Sequence, residues 1–131
     1  PRGHLMEDLM STSRDDGAAL VEFALILPIF IIVVFGIIGF GRAYQTKIAV
    51  THAAREGVRE LAVSRDASAA TSAALGAADT LDTGSLSVSA ADCQPGTSAS
   101  VTVSYPMTIA IPLLGSHTLN LEATAVMRCG G

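Results

Sequence analysis

The chain has no tryptophan, only two cysteines, and aromatic residues make up just 5% of it. With so few rings, anything that packs outside its longest apolar run has to build a thin core from Val, Leu, Ile and Ala. Charge is scarce as well: Asp, Glu, Lys and Arg together are 15% of the residues, and the net charge is −4. Residues 1–17 hold two bases and four acids, and residues 18–131 hold six bases and eight acids. No basic stretch stands out, so nucleic acid is not an expected partner.

Signatures of catalysis are missing too. His52 and Glu56 stand one helical turn apart, but His-Ala-Ala-Arg-Glu lacks the second histidine of a zinc-protease helix, and His117 falls in a turn. The serines are scattered through Ser/Ala/Thr-rich stretches with no nucleophile elbow. The glycines between Phe35 and Gly41 lie within an apolar run and make no phosphate loop. The expectation is therefore no enzyme, no cofactor and no metal. Cys93 and Cys129 form no CxxC pair. One disulfide joining a loop to the C-terminal tail, in an oxidising compartment, is the economical reading, with two free thiols as its alternative.

What the chain has in excess is a single apolar stretch, Gly17 to Gly41, uncharged from Phe23 to Phe40. With Ala18 to Val21 added it makes a helix about 35 Å long, enough to cross a bilayer core of about 30 Å. A core helix of a soluble domain is the alternative, but the rest of the chain offers too little apolar material to wrap it. Glu22 does not fit a lipid setting: a carboxylate at the centre of a membrane helix costs about 2.5 to 3.5 kcal/mol, less near the interface. No Lys or Arg follows within two turns, since Arg42 and Lys47 lie beyond the apolar run. Cleavage after Gly17 would supply a cation, because Ala18 would then carry a free amine with Glu22 the fifth residue of the new chain. An uncut interfacial carboxylate is the alternative.

Gly17, Ala-Ala-Leu-Val, then Glu22-Phe23 and an unbroken apolar helix resemble the processing signal of type IV pilins. Leu27-Pro28, the block Ala53-Ala54-Arg55-Glu56-Gly57-Val58-Arg59, and Tyr105 with Ile111-Pro112-Leu113-Leu114-Gly115 narrow the resemblance. Together they look like TadE-like pseudopilins, the minor pilin-like proteins of tight adherence (Tad, or Flp) pilus systems, from about Arg14 to Arg128. The resemblance implies a prepilin peptidase acting at Gly17–Ala18, assembly through Glu22 and Phe23, and partners among other pilins, pseudopilins, the Tad assembly platform and membrane lipid. It implies a leader at 1–17, a transmembrane helix at 18–41 and an extracytoplasmic α+β domain at 42–131. The location it implies is the cytoplasmic membrane, with a single pass, an exported C-terminal domain and the option of entering an extracellular pilus. An uncleaved, signal-anchored binding domain is the rival reading.

Taken in order, residues 1–16 read as disordered and acidic. Position 1 is not methionine, so Met6 or Met10 is the expected start, with residues 1–5 a non-native or misannotated extension. A secretory signal cut near Gly36, Gly39 or Gly41 is a weaker option. Orientation sets two arguments against each other. Arg42, Lys47, Arg55 and Arg59 outnumber Arg2 and Arg14, which by the positive-inside rule would keep the C-terminal domain in the cytoplasm. The cleavage signal and the cysteine pair favour export.

Pro28 is expected to bend the helix, and Gly36, Gly39 and Ala43 give a small-residue edge for another helix. Beyond Gly41 the helix continues, with Tyr44, Ile48, Ala54, Val58, Leu61 and Ala62 on its apolar side. The AAREGVR block reads as a solvated face, with docking on a partner or on the head as its alternative, and Glu56 pairs with Arg59 one turn away. A break near Ser64–Ala67, with Asp66 as N-cap, introduces an alanine-rich second helix toward Ala78, and a loop covers Asp79–Ser85. The period then switches to two around Leu86–Ala90, Ala99–Tyr105 and Leu119–Met127. Pro106 and Pro112 bracket a short edge strand or connection at Met107–Ile111. The expected fold is α+β: a long transmembrane and stalk helix packed on a small antiparallel sheet, pilin-like.

Overall fold

A computed structural model of the protein describes residues 3–130, with side chains from Asp15 onward. The elements run α1 (Gly3–Ser64), α2 (Ala67–Ala77), β1 (Ser87–Ala90), β2 (Ser98–Ile111) and β3 (Gly115–Arg128). The sheet is an antiparallel meander in the order β1-β2-β3. The α+β arrangement read from the period switch is the one found, with the C-terminal half of α1 laid across the sheet.

Residues 3–16 depart from expectation. Pro1 and Arg2 lie outside the described residues, and from Gly3 the backbone is already helical and runs without interruption through Asp16 and Gly17 into the apolar stretch. A single long helix needs only one nucleus, and once the apolar segment is helical each preceding residue adds its own hydrogen bond. Pro28 lies inside the same unbroken helix.

The face of α1 that meets the head follows the positions Gly39, Ala43, Thr46, Val50, Ala53, Ala54, Gly57, Val58 and Leu61, which are half-buried or buried. Tyr44 and Ile48, expected on this face, are exposed. They lie about 80° to 120° around the helix from Ala54, because each residue advances the chain by about 100°. The AAREGVR block is not simply a solvated face either. Ala53, Ala54, Gly57 and Val58 are buried, while Arg55 and Arg59 point outward. Its smallest member explains why: a Cβ on Gly57 would stand 3.1 Å from Ala74 Cβ, 3.1 Å from Val101 Cγ1 and 3.3 Å from the Ala70 carbonyl. At Gly57 α1, α2 and β2 meet, and the small side chains let them do so. Glu56 and Arg59 pair at 3.6 Å on the open side.

After Ser64 the chain turns through Arg65, whose φ of 58° is in the left-handed region. Asp66 then caps α2, its carboxylate accepting from the Ser68 N–H at 2.9 Å and the Ser68 hydroxyl at 2.8 Å. Ala70, Ala74 and Ala78 are fully buried against α1, so an alanine stripe sets the close approach of the two helices.

In β2, Ala99, Val101, Val103 and Met107 are buried while the residues between them face outward or are only half-covered. β3 is paired with β2 over its full length, from Ser98↔Arg128 to Ile111↔Gly115. Its inward residues Leu121, Ala123 and Ala125 are half-buried, whereas Leu119 and Met127, expected inside, are exposed at the two ends. On the solvent face, hydroxyls pair across the ladder at Thr102–Thr124 (2.9 Å) and Thr108–Thr118 (3.4 Å).

Pro106 corrects the expectation of a strand end. It sits within the central strand, opposite Asn120. β1 covers β2 only from Val101 to Ser104, and the Ala91 N–H bond to the Ser100 carbonyl shows that even-numbered residues of β2 turn their backbone groups toward β1. At Pro106 that side has no neighbouring strand among the described residues, so the missing N–H breaks no ladder bond.

Candidate functional site

Gly17, Ala18, Glu22 and Phe23 lie on a stretch of α1 that stands clear of the rest of the protein. From Asp15 to Ile31 every residue is exposed, and the space around Gly17 is open, with nothing within 4 Å of an added Cβ. The apolar side chains along it are bare: Leu25 is 71% exposed, Phe30 61% and Phe40 73%. A row of this kind needs a cover that water does not provide. The helix is long and apolar enough to cross a membrane, and that fits a single pass.

The peptide bond after Gly17 lies inside a helix, so a protease that takes an extended chain must first open a turn there. Glycine is about 1 kcal/mol less favourable than alanine in a helix interior, which lowers the cost of opening at this residue. Ala18 and Glu22 are four residues apart and share one helical face. Among the described residues no cation lies within ion-pair distance of Glu22. A cut after Gly17 would change its surroundings by placing an amine on the same face, about one turn away.

The second candidate pair is at the other end of the molecule. Cys93, after β1, and Cys129, after β3, are joined in a disulfide with Cα atoms 5.7 Å apart. The bond belongs to a wider closure of the head: the Cys129 N–H donates to the Thr97 carbonyl, the Gly130 N–H donates to the Ala62 carbonyl at the end of α1, and Arg65 Nη2 donates to the Gly130 carbonyl at 2.6 Å. Some forty residues of helix, about 60 Å, separate it from Glu22. The two sets of residues therefore act independently.

Between them lies a groove of about 850 Å³, lined by Arg42, Gln45 and His52 of α1, Asp79 of the following loop, and Tyr105 and Met107 of β2. His52 and Glu56 bring no third metal-type ligand together, and among the described residues no group of three such ligands occurs. Lys47 reaches across the sheet edge to donate its Nζ to the Glu122 carbonyl of β3. Neither this contact nor the Gly57 junction follows from local sequence pattern. The spacing Ala53-Ala54-x-x-Gly57 was the available signal for the second, and nothing local signals the first.

Residues 17–59 match the family model described as TadE-like protein. That segment, about a third of the chain, is similar to the TadE-like family. The match begins at Gly17 and takes in Glu22, Phe23, the apolar helix and the AAREGVR block, ending at Arg59. The later segment Tyr105–Gly115, which also entered the resemblance, lies beyond it. No curated protein and no solved structure matches the chain.

Proposed function

We propose that the protein is a TadE-like pseudopilin that is cut after Gly17, held in the cytoplasmic membrane by α1, and takes part in assembling a Tad pilus for surface adherence. The observation that carries this reading is the family match starting at Gly17, on a helix in which every residue from Asp15 to Ile31 is exposed. TadE-like proteins are pilus-associated, and the family is not one of enzymes.

In this reading the role of each residue follows from its place. Gly17 gives the peptidase a bond that opens easily, and Ala18 becomes the new amine. Glu22 and that amine, on one subunit or between neighbours, compensate each other's burial as helices bundle, because a paired charge in lipid costs far less than an isolated one. Phe23 begins the apolar surface that lipid or neighbouring helices cover. The head domain faces the exported side, where a disulfide between Cys93 and Cys129 persists. Two of the basic residues that argue for the opposite orientation are engaged in the fold, Lys47 on the Glu122 carbonyl and Arg59 on Glu56.

Gly17→Leu should block maturation and leave a slower-migrating band, and Glu22→Ala should leave the protein in the membrane while reducing piliation. Normal pilus yield in the Glu22→Ala strain would refute the charge-compensation role. N-terminal sequencing of protein recovered from membranes separates this reading from an uncut binding domain using the Arg42–Tyr105 groove: a start at Ala18 supports the pseudopilin, and an intact leader supports the binding domain.

A further inference from the structure

The long β2–β3 hairpin runs down α1 toward the membrane-spanning half of the helix. Two contacts fix its course: Gly57 faces Val101 Cγ1, and Gly39 faces Ile109 Cγ2, each at 3.1 Å from the glycine's virtual Cβ. From Gly57 to Gly39 is eighteen residues of helix, about 27 Å. From Val101 to Ile109 is eight residues of strand, also about 27 Å. The strand and helix thus keep level with each other, antiparallel, and the register extends directly to the tip. Ile111 and the turn after it stand roughly 7 Å beyond Ile109, level with about Val34 or Phe35 of α1, inside the apolar run.

The chemistry of the tip matches that depth. No Asp, Glu, Lys or Arg occurs between Tyr105 and Leu121. At the turn Leu113 is 83% exposed and Leu114 60%, both without a protein cover. Leu113 holds a left-handed φ of 72°, a conformation that costs a non-glycine residue about 1 to 3 kcal/mol and marks positions where the side chain matters. The turn also limits its bare polar groups, since Pro112 has no N–H and the Leu114 N–H bonds to the Ile111 carbonyl at 3.1 Å.

We propose that the β2–β3 turn, Ile111–Leu114, is a second membrane-contacting element that dips shallowly into the leaflet beside α1 and fixes the head against the bilayer. The occupant of this surface is lipid acyl chain. At the level of Gly39 lies His117, paired with Ile109, and exposed Tyr44 stands little more than a turn beyond Phe40. Both are side chains suited to the headgroup layer. The inference rests on α1 spanning the bilayer, so its test reports on the span separately.

The chain has no Trp, so each single substitution is a clean probe. Phe30→Trp, Leu113→Trp, Leu114→Trp and Val63→Trp variants of the full chain are reconstituted in phosphatidylcholine vesicles with and without mid-chain brominated lipid. The expected result is that Trp at 30, 113 and 114 is blue-shifted and loses most of its emission to bromolipid. Trp at 63, in the head at the far end of α1, keeps its emission and is quenched by aqueous iodide. Quenching at 30 with none at 113 and 114 overturns the proposal and leaves the span standing. Shielding of 113 and 114 from both quenchers also overturns it, by assigning the tip to a protein contact. Quenching at 63 as well overturns it in favour of general adsorption of the head, and no quenching at 30 removes the span and the proposal together.

Discussion

The head depends on Gly57 because three elements meet at its missing side chain. A Cβ there enters a space bounded by Ala74, Val101 and the Ala70 carbonyl, two side chains on different elements and one backbone atom that cannot swing away. Gly57→Ala gains some helix propensity but overpacks the junction. It should lower stability by about 1 to 3 kcal/mol in urea unfolding of the detergent-solubilised protein. Val101→Ala in the same chain removes one of the three neighbours and should recover part of that loss. Equal stability of Gly57→Ala and the parent would mean that the junction relaxes freely. Glycine at this point had no distinctive look in the sequence, where it sits among charged residues; the signal was the pair of alanines one turn before it.

At the scale of elements, α2 is short and apolar on one side, and its start relies on Asp66. The Ser68 hydroxyl, then the Ser68 N–H, hold the Asp66 carboxyl below its ordinary value of 3.8. A carboxyl depressed in the folded state stabilises the fold fully above the unfolded value, and that stabilisation disappears as pH falls through the lower folded value. Amide exchange in the first turn of α2 should therefore speed up as pH is lowered from above 3.8 to below it, after correction for intrinsic exchange. Asp66→Asn, which caps without titrating, should remove that dependence while keeping the helix. An unchanged pH response in Asp66→Asn would assign the effect to another group. The cap was legible in the sequence because it is a local event, one carboxylate and the two residues after it. Pro106 was not: whether a proline ends a strand depends on which neighbour lies beside it, and β1 stops just short.

At the scale of the whole molecule, a small head is carried on one helix whose far half has no protein cover. The head has little apolar surface per residue to hold it together, and a covalent link between β1's end and the C-terminus offsets this. Closing a segment of 36 residues contributes about 3 to 4 kcal/mol. Reduction, or the double variant Cys93→Ser with Cys129→Ser, should lower head stability by about that amount. It should leave membrane insertion of α1 unchanged, since the bond is at the opposite end of the helix. Loss of membrane association on reduction would show that the disulfide holds the anchor as well as the head.

The apolar helix, the out-of-place Glu22 after Gly17, the break at Asp66 and the alternating strands are all legible in the residue order. Each is set by neighbours a few residues apart, through helical or strand period and capping chemistry. Tertiary structure alone decided that the helix register turns Tyr44 and Ile48 outward, that Gly57 is a three-way junction, and that Pro106 lies within a central strand. It also decided that the Leu113 turn reaches the level of the apolar run of α1. Those outcomes depend on how a strand some fifty residues away in the chain lies along α1, and a local pattern carries no information about that distance.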